Sequence, residues 1–269
     1  YQRPYTEQRP TPIPCAHLDL HERMATGMQE GESWRHLMTI HPNGLYSSTE
    51  DFHDRGWLDF NTIQSHKGFD YIAHLVADAW YQSPSKPVLN SEGWYEDEPS
   101  MYELPTWGQM NSGWLQRFQA YWSVFFGGIG YSYGHSQVWK MQDETGRKGT
   151  LPTRALESDG PRSLVHLRRL IEHNAPSAWS PDQRLLTGSS RGSDFGRFYG
   201  TSPNLNCAIR ADDGSWAMVY STRGMNINLR IERLAPETAR YSWYDPRTGK
   251  WCDGRNDSST APVFVDEGI

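Results

Sequence analysis

Pro87-Val88-Leu89-Asn90-Ser91-Glu92, running on into Gly93-Trp94-Tyr95-Glu96, decides the fold. Its first six residues read as a short buried strand that ends on a carboxylate. Upstream, Ile72, Leu75, Val76, Ala79 and Trp80 fall on one face of a helix, and Leu58 to Gln64 reads as a strand stopped by Ser65-His66-Lys67-Gly68. Further back, Leu37 to His41 reads as another short strand, ended by Pro42-Asn43-Gly44. His17 to Glu30 suits a helix, with Leu20, Met24 and Met28 spaced by four. Downstream, a helix from about Ser112 to Phe126 leads into a strand from Ile129 to Tyr133. The order is helix, strand, strand, helix, strand, helix, strand.

Short apolar strands alternating with helices imply βα units and a parallel sheet covered on both faces. The strand-like runs recur about 23 to 41 residues apart, as the units of a (β/α)8 barrel with some long loops would. Each is followed by polar or aromatic residues: His41; Gln64 and His66; Glu92, Trp94 and Glu96; Tyr133 and His135. A (β/α)8 barrel assembles its active site at these strand ends. Four strands in roughly the first 140 residues amount to half a barrel, since a closed one takes about 250.

From Gly160 the character changes. Leu164, Leu167, Leu170 and Ile171 mark one more helix, with Pro161 in its first turn. Beyond Ser180-Pro181-Asp182 the pattern is all β. Asn206 to Arg210 and Trp216 to Tyr220 flank the hairpin signal Asp212-Asp213-Gly214, Met225 to Ile231 alternates, and Arg240 to Tyr244 enters a tight turn at Asp245 to Gly249 before Trp251. Val263-Phe264-Val265 reads as the start of a further strand. The expected α/β architecture is strands five to eight of a TIM-type barrel in residues 1–180, then a small antiparallel β-sandwich in residues 181–269.

Composition narrows the function. Twelve Trp, 14 Tyr and 9 Phe among 269 residues supply core area and suggest stacking platforms. A net charge of −6 with no basic run argues against nucleic acid as the main partner. No apolar stretch approaches the roughly 18 residues of a membrane span. Residues 1–14 carry four prolines and read as an extended surface segment. The chain starts at Tyr1 without an initiator Met or an apolar signal, so it reads as processed or as lacking its start. Cys15, Cys207 and Cys252 are too scattered for a zinc site; Cys207 with Cys252 could pair, but isolated thiols are the better reading. Gly127-Gly128-Ile129-Gly130 follows a helix and precedes a strand, the reverse of a dinucleotide fingerprint, so no cofactor is expected. Ser47-Ser48-Thr49 lacks a nucleophile elbow.

Glu92 is the sharpest signal. A carboxylate on the last residue of a buried strand, followed by aromatic residues, suits attack on an oxocarbenium-like centre while rings and donors hold a sugar. The alternative is a salt-bridged or capping acid. His41 is expected to point into the same mouth. Asp59, Asn61 and Gln64 are read as one face of their strand, Asp59 near its start and therefore structural. Trp94, Tyr95, Tyr133, His135 and Trp139 are candidates for a sugar-stacking wall, with ordinary packing expected for some of them.

The series HLMTIHPNG, WLDFNTIQSHKG, KPVLNSEGWYE and YWSVFFGGIGYSYGHSQVWKM resembles the apiosidase-like glycoside hydrolases, which are (β/α)8-barrel enzymes. NLNCAIRADDGSWAMVYS and YSWYDPRTGKW resemble their C-terminal domain, labelled collagen-binding, and GTLPTRALESDGPRSLVHLRRLIE the helix between the two. The likeness spans roughly residues 20 to 255. It implies that Glu92 is the nucleophile, in the position of the glutamate of the family pattern P-V-L-N-G-E-x-x-Y-E, with Glu96 its second acid. It also implies that His41, Asn61 and Gln64 line the pocket and that Tyr133 and Trp139 belong to the strand-eight motif.

The family's acid/base, an aspartate in a G-G-D-R motif after strand four, has no counterpart in YQRPYTEQRPTPIPCAHLDLHER. Cleavage needs two carboxyls, about 5–5.5 Å apart for retention or about 6.5–9.5 Å for inversion. The expectation is a secreted or periplasmic glycosidase acting on the ends of plant or microbial polysaccharide, its barrel completed by a missing segment or another chain. The alternative is a non-catalytic carbohydrate-binding or structural relative.

Overall fold

The computed structural model describes residues 15–66, 71–98, 113–143, 145–149, 152–175, 177–187, 206–222, 224, 226–235 and 240–253. Val263 to Val265 and residues 1–14 lie outside them. The helices are α1 (Leu18–Gly31), α2 (Ile72–Trp80), α3 (Gly113–Phe125), α4 (Ser136–Lys140) and α5 (Asp159–Asn174). A four-stranded sheet runs in the order β1 (Tyr46–Ser47), β2 (Asn61–Gln64), β3 (Val88–Glu92), β4 (Gly130–Tyr131). β2, β3 and β4 are parallel, as the βα alternation requires; β1 is antiparallel to β2.

Two expectations for the segment before β2 are corrected. Leu37 to His41 is extended but not a strand. Its polar groups are met largely by side chains: Met38 N donates to Asp59 Oδ2 (2.8 Å), Thr39 Oγ1 donates to Phe60 O (2.7 Å), and Thr62 Oγ1 donates to Ile40 O. Asp59 is therefore structural and also pairs with Arg35. The second correction concerns α1, whose Leu20, Met24 and Met28 are each more than half exposed, while Ala25 packs with Met38, Phe52, Trp57 and Leu58. Spacing located the helix but not the face it buries.

α2 is also buried more widely than its amphipathic pattern suggests, with Ala73, His74 and Ala77 covered as well. α3 is buried along its whole length because it lies between the parallel sheet and a second sheet. That second sheet is antiparallel, in the order β5 (Trp179–Pro181), β6 (Asn206–Ala211), β7 (Ala217–Ser221), with the expected hairpin between β6 and β7. Tyr220 stacks on Tyr121 of α3 at 4.3 Å between ring centres, and Trp122 Nε1 donates to Thr222 Oγ1 (3.2 Å). Gln183 Nε2 donates to Phe125 O (3.0 Å), satisfying a carbonyl at the end of α3. A separate hairpin, β8 (Ser242–Asp245) and β9 (Lys250–Asp253), is tied to α5 by Tyr244, whose hydroxyl donates to His166 O (2.8 Å). The described part of the expected strand from Met225 to Ile231 makes only an isolated bridge, Leu186 to Leu229. The described strands thus form a three-stranded sheet and a hairpin; a sandwich is not established. The three cysteines are free, Cys207 buried and Cys252 exposed.

Lys86, just before β3, points its ammonium at three carbonyls, those of His53 (2.6 Å), Arg55 (3.2 Å) and Leu58 (2.7 Å). This fixes the turn that feeds β2. Lys86→Met keeps the aliphatic stem and strands those acceptors, so a loss of about 2 kcal/mol is expected in chemical denaturation. An unchanged midpoint would show that the loop holds without the lysine.

Candidate active site at the end of the parallel strands

β3 carries Glu92 as its last residue, and the ladder slips there: Ile63 pairs with Asn90, but Gln64 pairs with Glu92. Ser91 is thus an extra residue, a bulge of the kind that re-aims side chains beside functional sites. In a regular strand neighbouring side chains point to opposite faces. Here Ser91 and Glu92 both reach His41. Glu92 Oε2 lies 3.0 Å from His41 Nε2, and Ser91 Oγ lies 2.9 Å from His41 Nδ1. The Glu92 side chain is 24% exposed and that of His41 48%, so the pair opens to solvent.

Tyr95 supplies a further donor to Glu92. Its hydroxyl is held protonated well into the alkaline range, first by burial and then by the charge and hydrogen bond of Glu92. Gly134 makes this placement possible: a Cβ there would meet the Tyr95 ring at 2.4 Å. Trp139 on α4, 71% exposed, meets Tyr95 edge-on at 6.3 Å. Exposed ring faces beside a partly open carboxylate suit a sugar, whose C–H faces stack on aromatic surfaces while its hydroxyls bond to polar neighbours.

The loop after β3 is clamped from behind. Gln119 Oε1 accepts from Trp94 N (2.7 Å), and Gln116 Nε2 and Gln119 Nε2 donate to Trp94 O (2.6 and 3.1 Å). Asn90 Nδ2 donates to Ser123 Oγ (3.0 Å), and Tyr131 donates to Gln116 Oε1 (2.8 Å). Sequence reasoning passed over these residues, although Gln116, Gln119 and Ser123 form a polar stripe at helical spacing on a mostly apolar helix.

Not every expected site residue joins this cluster. Trp94 is a core residue packed with α2 and α3. Asn61 is buried with Ser48 and His53, its Nδ2 donating to His53 Nδ1 (3.1 Å) while His53 Nε2 donates to Pro84 O (2.9 Å). Asn61 and Gln64 do not share a face by simple alternation; Gln64, half-buried, is set beside Glu92 by the bulge. His135 is buried and caps α4, its Nδ1 accepting from Gln137 N (3.1 Å), which needs the neutral ring that burial favours.

Glu96 and Tyr133 form a pair of their own. Tyr133 donates to Glu96 Oε2 (2.6 Å), Ser158 Oγ lies 3.0 Å from the same oxygen, and Gly160 N donates to both carboxylate oxygens (3.1 and 3.2 Å). Gly160 lies in the first turn of α5, where unpaired N–H groups and the helix dipole favour an anion. Glu96 is therefore spent on joining the loop after β3 to α5. A Cβ on Gly160 would lie 2.2 Å from Glu96 Oε2. Gly160→Ala, normally favourable in a helix, is expected to cost about 1–3 kcal/mol by overpacking. A thermal midpoint equal to wild type would show that the loop yields.

Among solved structures, the chain is similar to a glycoside hydrolase family 5 protein from Bacteroides vulgatus, with 26% identity and a TM-score of 0.76. That match covers 93% of this chain and 56% of the other. A second structure, described as a glycoside hydrolase, matches at 25% identity and a TM-score of 0.71, over 86% of this chain and 54% of that one. The chain thus spans about half the length of these relatives. No curated protein matches it. The fold is a glycoside hydrolase-type scaffold. Residues 6–177 match the family model described as the Apiosidase-like catalytic domain, and the chain belongs to that family. Residues 181–267 match a model named for the collagen-binding domain of a collagenase.

Proposed function

We propose that residues 1–180 form the C-terminal half of a (β/α)8 glycosidase barrel, that residues 181–269 form an attached β domain, and that Glu92 is the nucleophile. The observation that carries this is the setting of Glu92: the last residue of the middle parallel strand, partly open, and flanked by His41, Tyr95 and the exposed Trp139 ring. Such a carboxylate can attack an anomeric carbon from the C-terminal face of the barrel. The C–O bond to the leaving group breaks as a glycosyl ester forms, and water then releases the sugar. The leaving oxygen needs a proton, and Glu96 is not placed to give it because its oxygens are engaged by Tyr133, Ser158 and Gly160. The other half of the barrel supplies that acid in this reading. It would also cover the Leu20, Met24 and Met28 face of α1, and the solved relatives are long enough to contain such a half.

The substrate class is the terminal glycosidic bond of plant or microbial polysaccharide, and the site of action is secreted or periplasmic, where such polymers lie. Among the described residues no helix could cross a membrane and no three His, Cys, Asp or Glu groups gather for a metal. The engagement of Glu96 favours one rival, a carbohydrate-binding relative without an acid. Sugar release by the barrel-complete protein from apiose-containing pectic oligosaccharides and a wider glycan panel tests the two. Release supports the enzyme; binding without release supports the rival.

A further inference from the structure

We infer that Ser91 is a positioning residue that fixes the tautomer of His41, so that His41 keeps its proton on Nδ1 and turns Nε2 toward Glu92. The inference follows from counting hydrogens. Ser91 Oγ has one proton and two close partners, Ile63 O at 2.9 Å and His41 Nδ1 at 2.9 Å. A carbonyl oxygen can only accept, so the 2.9 Å contact with Ile63 O is a hydrogen bond only while the hydroxyl proton lies on it. The contact with Nδ1 is then a hydrogen bond only if Nδ1–H donates to the hydroxyl lone pair. The opposite tautomer would leave Nδ1 facing Ser91 lone pair to lone pair, or would turn the hydroxyl away from Ile63 O.

The consequence reaches Glu92. A neutral imidazole protonated on Nε2 could donate to the carboxylate with no extra proton. With the ring proton held at Nδ1, the 3.0 Å contact between Nε2 and Oε2 needs a second proton lying between them. The pair is then imidazolium with carboxylate, or imidazole with carboxylic acid. Ser91 thereby makes this contact depend on one exchangeable proton. The groups acting on the pair are Tyr95, whose hydroxyl donates to Glu92, and Glu98, whose charge acts on Tyr95. The bulge is what allows this: without the slipped register Ser91 would face away from the imidazole that Glu92 touches.

The test needs no turnover and does not depend on the glycosidase reading. Long-range proton–nitrogen spectra of the protein labelled with 15N-histidine report the tautomer of each ring, and the signal lost in His41→Gln identifies His41. Wild type is expected to show the neutral His41 ring in the Nδ1–H form, and Ser91→Ala to move it to the Nε2–H form with other histidines unchanged. An Nε2–H tautomer in wild type, or an unaltered His41 pattern in Ser91→Ala, would overturn the inference. Should the variant fail to fold, the wild-type spectrum alone decides it.

Discussion

Glu92→Gln in the barrel-complete protein is expected to lower the rate of glycoside cleavage by at least about 10³-fold, roughly 4 kcal/mol of barrier. The amide keeps the shape and still accepts from Tyr95 but cannot attack an anomeric carbon, and the nucleophile's contribution falls almost wholly in the transition state. Folding should be little changed, because the side chain is partly exposed and not packed in the core. Glu96→Gln should behave in the opposite way. It weakens the link between the loop after β3 and the first turn of α5, so its main loss should be in stability. Steady-state rates together with thermal midpoints for both variants separate the two acids. Near-wild-type turnover by Glu92→Gln would remove the proposed role.

The second large effect is expected at Asp182. This carboxylate is only 5% exposed and takes Arg210 Nε at 2.9 Å, Arg233 Nη2 at 2.6 Å and Arg184 Nε at 3.3 Å. Burial alone would raise its pKa, but the three guanidinium groups outweigh it and hold the carboxyl below its usual range. Removing one partner from a buried ionic cluster costs about 3–5 kcal/mol. Arg184 is largely exposed, so Asp182→Ala is expected near the lower end, about 3 kcal/mol in chemical denaturation. The sign with pH follows from the lowered value. Asp182 stabilises the fold fully above the ordinary carboxylate range, and that share is lost as pH falls through the folded value, below about pH 4. Asp182→Asn should therefore flatten the acid limb of the stability curve, and an acid limb identical to wild type would show that other carboxylates set it.

Much of the parallel sheet was legible because periodicity and chain punctuation agreed there. Val88 to Glu92 stands where the apolar run and its terminal carboxylate placed it, and Glu92 could be singled out because one acid ended one buried strand. Leu37 to His41 misled for a physical reason: Asp59, Thr62 and Thr39 provide by side chain what a ladder provides by backbone. The stripe on α1 misled because a four-residue repeat marks a helical face but not what covers it. Ser91 was invisible as a contact of His41, since alternation assigns it to the opposite face from Glu92 and only a register slip brings the two together. The family resemblance put Glu96 in the substrate pocket, whereas its partners, Ser158 and Gly160, lie more than sixty residues away.

The most direct measurement is to trap the intermediate. A 2-fluoro glycoside with a good leaving group slows hydrolysis of the glycosyl ester more than its formation, so barrel-complete protein treated with one should accumulate a sugar adduct. Peptide mass spectrometry is predicted to place that adduct on Glu92, within Val88 to Glu96, and to find none in Glu92→Gln. An adduct on another carboxylate, or turnover of the natural glycan with no adduct on any residue, would contradict Glu92 as the nucleophile.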